Sequence, residues 1–420
     1  MSSPRRYLFI FTLYSICIVL SIILYDAAGI CLLGFITSPQ SIAISKRWHD
    51  AYSYPTASFL INHRDFLSGW ICSLIFIPLA RLCAKTLFGY FCSNDGDGAT
   101  LYSLDHAILN VEIPPKSMWM NMGYWEHAKT LPEACVHLLE KVLQTAGLLH
   151  KDGRPLRVEG SIKLLDVGFG CGDQTLYLTR HLSRTESDFR NRPLFDDYIG
   201  ITINRHQAEF ARQRLSAKTT AGEAEESWTP NVLLFCADAA NPTSWSRELN
   251  QAVISSLTSQ QEADSSPCKE TCTWLLALDT LYHFKPSREP LFTYAYHILH
   301  ASIMAFDLIL SDSTSMVDRI LLRLVCLLTS TPYSNFKTQS DYKEMLVKAG
   351  YSSENIEMHD ISEYVFSGIA GYIEEREAEL RRYGMSLGKL RAAGKIFGWW
   401  SRSGIVRGVI VVARRCEMAS

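Results

Sequence analysis

The sequence predicts an α/β protein in which helices flank a mostly parallel sheet, preceded by an apolar N-terminal region. From about Ser103 onward, apolar segments of strand length alternate with segments of helical periodicity, which is typical of a layered α/β fold. Upstream, residues 7–25 contain no charged side chain. With 420 residues, 47% of them hydrophobic and 20% charged, the chain can bury a sizeable core, and disorder of the whole is excluded.

The first hundred residues predict attachment to a membrane. The uncharged run 7–25 is close to the ~20 residues that a helix needs to cross a bilayer. Arg5 and Arg6 precede it and favour a cytosolic N-terminus. A cleaved signal peptide is the alternative. A second apolar stretch, 66–80, fits either a short span or an interfacial segment, so one or two apolar helices are expected.

Three regions follow from this pattern. Residues 1–92 are predicted to form the membrane anchor. Residues 93–116 are predicted to form a linker, because the segment SNDGDGAT at its start is polar and glycine-rich. Residues 117–420 are predicted to form the main globular domain.

The net charge and the spacing of the cysteines limit the classes of partner that the chain is expected to bind. The formal net charge is −2 and no long basic run is present, so nucleic acid is not expected as a partner. Of the twelve cysteines, Cys268 and Cys272 come nearest to metal-ligand spacing, but no second ligand pair follows, and no metal is expected. The one N-x-T sequence, at Asn241, contains a disqualifying proline, which favours a cytosolic face for the main domain.

The most informative segment is 162–173, with the sequence IKLLDVGFGCGD. A short buried strand runs into an acidic residue and then three alternating glycines: Asp166, Gly168, Gly170 and Gly172. Glycines at such a turn let the backbone approach a ligand, and the predicted helix 174–182 presents its N-terminus there. Dinucleotide sites prefer G-x-G-x-x-G, whereas the spacing here is G-x-G-x-G. A tight strand-to-helix turn without a ligand is the alternative.

Three further strands are predicted at 198–204, 232–238 and 274–279, with a helix at 205–215 after the first of them. Their polar ends should meet at one edge of a parallel sheet and form a site there. A helix is also predicted at 133–146, ended by Gly147. The polar stretches 218–226 and 251–271 are predicted to be surface loops.

The turn D-V-G-F-G-C-G resembles that of class I S-adenosylmethionine-dependent methyltransferases, and the resemblance extends over 117–415. It implies a Rossmann-like sheet with flanking helices, S-adenosyl-L-methionine as the cofactor, and a turn that holds the methionine part of that cofactor. Asp166, Gly168, Gly170 and Gly172 would then be cofactor-binding residues. By the same resemblance, 340–351 would be a late helix and 406–414 the closing strand.

A finer resemblance concerns the cyclopropane-fatty-acid synthase, tocopherol and sterol methyltransferase subgroup. Residues 200–207, GITINRHQ, resemble its G-[IL]-T-x-S-x-x-Q stretch, with Asn204 in place of serine. Thr202, Asn204 and Gln207 would therefore contact the cofactor. Upstream, NMGYW resembles an aromatic segment of the subgroup, which implies that Tyr124 reaches the cofactor. A core aromatic is the alternative for Tyr124.

Two more acids complete the implied cofactor site. Asp238 resembles the residue that binds the adenine amino group, although an aspartate there could instead cap the following turn. Asp279 ends the fourth strand and is also assigned to the cofactor. Trp245 either stacks on adenine or lies in a surface loop.

The candidate catalytic residues are His283 and Tyr282, which follow the fourth strand. Methyl transfer is a direct displacement, so a base is needed only where the acceptor must lose a proton. An imidazole with its ordinary pKa near 6.5 suits that task, and Tyr282 and Asp279 would orient it. Alternatively, His283 only shapes the pocket.

The predicted activity is methyl transfer to a small, lipophilic acceptor at an internal membrane such as the endoplasmic reticulum, with the catalytic domain facing the cytosol. The apolar segment 316–328 suggests an acceptor lid, although a buried core helix explains it equally. A cyclopropane-type lipid synthase ranks lower, because those enzymes carry an E-H pair where this chain has Tyr282 and His283. A non-catalytic membrane scaffold that binds the cofactor is the third hypothesis.

Overall fold

The computed structural model describes residues 117–156, 160–185, 191–216, 231–258, 271–381 and 386–415. The predicted membrane anchor, the linker and the insert 218–226 lie outside these residues. Within the described ranges, no helix is both long and apolar enough to span a membrane.

A seven-stranded sheet forms the centre of the described domain, in the order β5-β4-β1-β6-β7-β9-β8. Its strands are β1 (Ile162–Val167), β4 (Asp197–Thr202), β5 (Asn231–Cys236), β6 (Cys272–Leu278), β7 (Ser302–Leu310), β8 (Ile356–Asp360) and β9 (Val406–Ala413). A separate hairpin pairs β2 (Ser183–Thr185) with β3 (Asn191–Pro193). The central strands are almost continuously apolar because helices cover both of their faces.

The strand directions fix where a ligand can bind. Strands β5, β4, β1, β6 and β7 are mutually parallel, whereas β9 runs antiparallel to both of its neighbours. In sequence order, β1 is the first strand of the sheet, β4 and β5 extend the sheet on one side of β1, and β6 then lies on the other side of β1. Such a reversal leaves a crevice at the carboxyl ends of the strands. The predicted Rossmann-like α/β fold is thus confirmed.

Helices cover both faces of this sheet, and two large apolar clusters lie between them and the strands. The helices are α1 (Leu131–Thr145), α2 (Asp173–Leu176), α3 (Arg205–Ser216), α4 (Arg247–Leu257), α5 (Glu289–His297), α6 (Met316–Thr329), α7 (Gln339–Ala349), α8 (Phe366–Arg381) and α9 (Leu390–Ser403). A π-helical turn, Tyr177–His181, continues α2.

Two predicted boundaries are corrected. Helix α1 begins at Leu131 rather than at residue 133, because the Thr130 side chain caps it and Glu133 closes a capping box. The predicted loop 251–271 begins instead within α4, which is capped by Ser246 and buries Leu249, Val253 and Leu257. The apolar spacing of this helix is diluted by serine and glutamine, which concealed it in the sequence.

Segment 316–328 forms α6, but the buried-core interpretation of this helix is wrong. Leu322 and Cys326 are its buried residues. Six of its apolar side chains are exposed by between 36% and 67%: Met316, Val317, Leu321, Leu324, Leu327 and Leu328.

Candidate active site

A cavity of about 350 Å³ lies at the carboxyl ends of β1, β4, β5 and β6, a volume suited to a small organic ligand. Eight of the predicted site residues line it: Gly168, Gly170, Thr202, Asn204, Gln207, Asp238, Asp279 and His283. The other four do not: Tyr124, Asp166, Gly172 and Tyr282. The glycine turn, the end of β4 and the turn after β6 therefore face one space.

The three glycines of the turn have different roles, although all have positive φ. A Cβ on Gly168 would lie 2.9 Å from Thr280, and a Cβ on Gly172 would lie 2.8 Å from Ala211, so both glycines permit close packing. A Cβ on Gly170 would meet only the Met120 side chain, at 3.6 Å. Gly170 is therefore the glycine whose missing side chain leaves room in the cavity.

Residues 117–125, here called the N-terminal strap, cross the cavity and are held by two carboxylates. The amide of Met118 donates to Asp173 at 3.1 Å, and the amide of Met122 donates to Asp279 at 2.8 Å. Between these anchors, the Met120 sulfur lies 3.6 Å from the Gln207 side-chain nitrogen. Asp173 is fixed in turn by an ion pair with Arg214, at 2.5 Å.

The second strand ends in a polar pair without an acid. The Thr202 hydroxyl donates to the side-chain oxygen of Gln207 at 3.0 Å, and both side chains are buried. The Asn204 side chain accepts from the Gln207 amide at 3.2 Å and so caps α3. The cofactor contacts implied for these three residues stay predictions, but the structure brings them to the cavity.

Asp238 lies in the cavity wall and also stabilises its own turn. Its Oδ1 accepts from the Ala240 amide at 2.9 Å, as the capping alternative requires. Trp245 is neither on the surface nor in the cavity lining. It is 5% exposed, and its indole N–H donates to the Asp238 carbonyl at 2.8 Å.

Asp166 lies beneath the glycine turn. Its carboxylate accepts from the Gln174 side chain at 2.8 Å and from the Tyr198 hydroxyl at 2.5 Å. Burial raises the pKa of Asp166 to about 7, although both hydrogen bonds lower it. Asp166 therefore stabilises the glycine turn through these hydrogen bonds and does not line the cavity.

Asp279 faces the cavity from the end of β6. Its φ of 61° lies in the left-handed region, which is uncommon outside glycine and occurs at functional sites. Burial raises the pKa of its carboxyl group to about 7, against the hydrogen bonds from Tyr282 and from the Met122 amide. Its Oδ1 is buried and makes no hydrogen bond to the residues that the structure describes.

His283 lies in a single helical turn, Leu281–His283, directly after β6. Burial, helped by the nearby Lys285 ammonium, lowers the pKa of His283 to about 3. The ordinary pKa expected from the sequence is therefore wrong, because the apolar surroundings disfavour the charged ring. The buried Tyr282 ring lies 4.1 Å from the imidazole, so it packs beside His283 and does not line the cavity.

A buried network that the sequence did not predict holds this turn. The Asn335 side-chain amide donates to the carbonyls of Tyr282, at 3.1 Å, and Phe284, at 2.7 Å. The fully buried Arg288 donates to the Asn335 carbonyl and pairs with Asp307. Asn335 thus holds the residues immediately before and after His283. No local sequence pattern connects residues so far apart.

Tyr124 lies outside the cavity. Its hydroxyl donates to Glu126 at 2.7 Å, and its ring lies 5.0 Å from that of Tyr364. The strap instead presents Met118, Met120 and Asn121 to the cavity, and Thr329 and Ser330 close it at the end of α6. The cofactor contact implied for Tyr124 is thus not supported by its position, although the segment that contains it does line the cavity.

Together, the sheet and its glycine turn define a Rossmann-like α/β protein with a ligand cavity at the carboxyl edge of its parallel strands. In the described part of the chain, no group of three or more His, Cys, Asp or Glu side chains is placed to hold a metal ion. No family model matches the chain, and no curated protein matches it in sequence.

The solved structures to which the chain is similar include three that span most of the described domain. The cyclopropane synthase MmaA2 from Mycobacterium tuberculosis is 15% identical, with a TM-score of 0.47 over 74% of this chain and 94% of that one. Phosphoethanolamine N-methyltransferase 2 from Haemonchus contortus, in complex with phosphomonomethylethanolamine and S-adenosylhomocysteine, is 13% identical, with a TM-score of 0.46 over 68% of this chain and 53% of that one.

The third is a geranyl diphosphate methyltransferase in complex with GPP and sinefungin. It is 12% identical, with a TM-score of 0.42 over 70% of this chain and 88% of that one. Likeness at this distance carries no conclusion about function, so the functional argument rests on the residues of the cavity.

Proposed function

We propose that this chain is an S-adenosyl-L-methionine-dependent methyltransferase that acts on a small lipophilic acceptor at an internal membrane, with its catalytic domain facing the cytosol. One observation carries the proposal. The G-x-G-x-G turn, the acid-free Thr202 and Gln207 pair, and the turn bearing His283 line the same cavity.

The residues present fit this cofactor. Gly170 leaves backbone space for the amino-acid part, and the buried Oδ1 of Asp279 offers an acceptor to a positively charged group. Thr202, Asn204 and Gln207 would hold the ribose, and Asp238 would hold the adenine. When bound, the cofactor supplies an electrophilic methyl group on a sulfonium.

The contribution of the protein to such a displacement is mainly to position the two reactants, which can lower the barrier by roughly 7–11 kcal/mol. The two hydrogen bonds from the Asn335 side chain hold the turn that carries His283 in place beside the cavity. His283 is neutral at physiological pH, so it can accept a hydrogen bond or a proton from the acceptor. Its lowered pKa makes it a weak base.

A lipophilic acceptor is supported by the apolar surroundings of the cavity mouth. Ile203 lines the cavity and is 69% exposed. Thr329 and Ser330 connect the mouth to α6, whose exposed side chains are apolar. The uncharged run 7–25 adds the expected membrane attachment.

The test is an acceptor screen with a membrane lipid extract and a cofactor whose methyl group is fully deuterated. Transfer that leaves the methyl group intact delivers three deuterium atoms to the product, whereas a cyclopropane synthase retains two of them, so a product with three deuterium atoms excludes cyclopropane formation. The proposal fails if no lipid gains label.

Gly170→Val is the matched inactive variant, because its side chain would enter the cavity. Gly388→Val is its control, since Gly388 also has positive φ but has no neighbour within 4 Å of a Cβ. Labelling should be lost in the first variant and kept in the second. Equal labelling by both would remove the glycine turn from the site.

A further inference from the structure

Helix α6 is amphipathic with its apolar side turned outward. At 3.6 residues per turn, Met316, Val317, Ile320, Leu321, Leu324, Leu327 and Leu328 fall within an arc of about 140°. No charged residue interrupts this arc. These seven side chains are here called the α6 outer face.

The opposite side of the helix is attached to the protein. Leu322 and Cys326 are buried, and the Arg323 guanidinium lies 4.7 Å from the centre of the Tyr333 ring. Ser315 caps the first turn through the Asp318 amide. The helix is therefore anchored in this orientation, and its apolar outer face is a fixed feature of the surface.

A contiguous exposed apolar patch of this kind marks a surface that another apolar partner covers. We propose that the α6 outer face lies in the interfacial layer of a phospholipid bilayer. The helix has 14 residues, about 21 Å at 1.5 Å per residue, which suits lying along the membrane surface. Arg323 borders the apolar arc and Arg319 lies beyond its edge, so basic residues flank the outer face as they do in interfacial helices.

Continuity with the cavity identifies a bilayer, rather than a second protein, as the occupant. Thr329 and Ser330 follow directly on Leu327 and Leu328 and line the cavity. A membrane against α6 would therefore meet the cavity mouth, where the exposed Ile203 also lies. The inference rests on the proposed function in one respect: it supplies the route by which a lipophilic acceptor reaches the cavity from the bilayer.

The experiment places a photoreactive diazirine amino acid at position 327 of the full-length chain. The protein is reconstituted in nanodiscs of phosphatidylcholine and phosphatidylserine, irradiated, and analysed by mass spectrometry. The control carries the same group in place of Ile254, an exposed residue of α4. We expect phospholipid adducts at position 327 and none at position 254.

Four outcomes would overturn the proposal. An adduct between position 327 and the chain's own residues 1–116 would show that this segment covers α6. An adduct to a second copy would identify a dimer interface. The absence of any adduct at position 327 would leave the outer face in water, and equal lipid labelling at both positions would show contact without selectivity.

A second variant tests the apolar contact itself. Leu321→Asp combined with Leu324→Asp should remove most of the lipid adduct at position 327, because the charges oppose insertion of the helix. Ile254→Asp should leave the adduct intact. If the double variant formed as much lipid adduct as the unmodified chain, the α6 outer face would not be the surface that contacts the bilayer.

Calorimetry with S-adenosylhomocysteine keeps the two proposals separate, and a cooperative thermal transition shows that each variant is folded. Lipid adducts on a chain that does not bind this ligand would support the membrane surface and remove the proposed function. Binding of S-adenosylhomocysteine without lipid adducts would support the proposed function and remove the membrane surface.

Discussion

Two buried carboxylates with the same raised pKa have different surroundings. Asp166 makes hydrogen bonds to Gln174 and Tyr198 and lies outside the cavity lining, whereas Asp279 faces the cavity with a buried Oδ1. Burial is the main cause of both pKa values of about 7. The contrast allows the carboxylate beside the ligand to be tested against one that is not.

We predict that binding of the positively charged cofactor strengthens as the pH rises through about 7. A cation favours ionised Asp279, so below that pKa binding must remove a proton, at a cost of up to about tenfold in affinity per pH unit. Calorimetric titration across the neutral range measures this slope. Asp279→Asn should flatten it and Asp166→Asn should retain it. A slope that survives in Asp279→Asn would exclude this role.

For His283, the low pKa changes the expected pH profile. The ring stays neutral from neutral pH down to about 3, so no fall in rate near pH 6.5 should arise from this residue. If the acceptor must lose a proton, His283→Ala should lower turnover by about 10², near the lower end of what general bases contribute, because a weaker base contributes less. Cofactor affinity should be unchanged. Full turnover in the variant would remove His283 from the mechanism.

At the scale of elements, Asn335 connects the segment between α6 and α7 to the turn that carries His283. Asn335→Leu leaves two carbonyls without their donor, which should lower the free energy of unfolding by about 1–3 kcal/mol. Because the turn is then free to shift, kcat should fall while the KM for the cofactor stays the same.

Asn250→Leu is the control for that prediction, since the Asn250 side chain also donates to a carbonyl, that of Trp245, but away from the His283 turn. It should lower stability without lowering kcat. Thermal unfolding and steady-state kinetics of the two variants give the comparison. Equal losses of kcat in both would assign Asn335 a purely structural role.

The elements differ in how far the sequence predicted them. The largely apolar strands β1, β4 and β6 were evident, because burial on both faces leaves a simple pattern. The sequence did not reveal which way the apolar side of α6 faces. An amphipathic helix has the same periodicity whether its apolar stripe faces the core or the outside. Burial of Trp245 and the lowered pKa of His283 depend on neighbours distant in sequence, which no local pattern contains.

On the scale of the whole molecule, the sheet and the cavity are built from residues 117–415. We therefore predict that deleting residues 1–92 leaves affinity for S-adenosylhomocysteine unchanged, measured by calorimetry against the full chain. Gly170→Val in the same truncated background serves as the non-binding control. Loss of binding in a truncated protein with a cooperative thermal transition would show that the first segments complete the site.

The position of β9 also sets an order of events during synthesis. This strand lies between β7 and β8, so that half of the sheet cannot close until Val406 and the residues after it have been made. At about 5–20 residues per second, the ribosome needs roughly 20–80 s to pass from residue 25 to residue 406. If the apolar run 7–25 is the proposed membrane anchor, it reaches the targeting machinery long before the domain can fold. Delivery to a membrane would then precede folding, and the nascent chain would complete its sheet at that membrane.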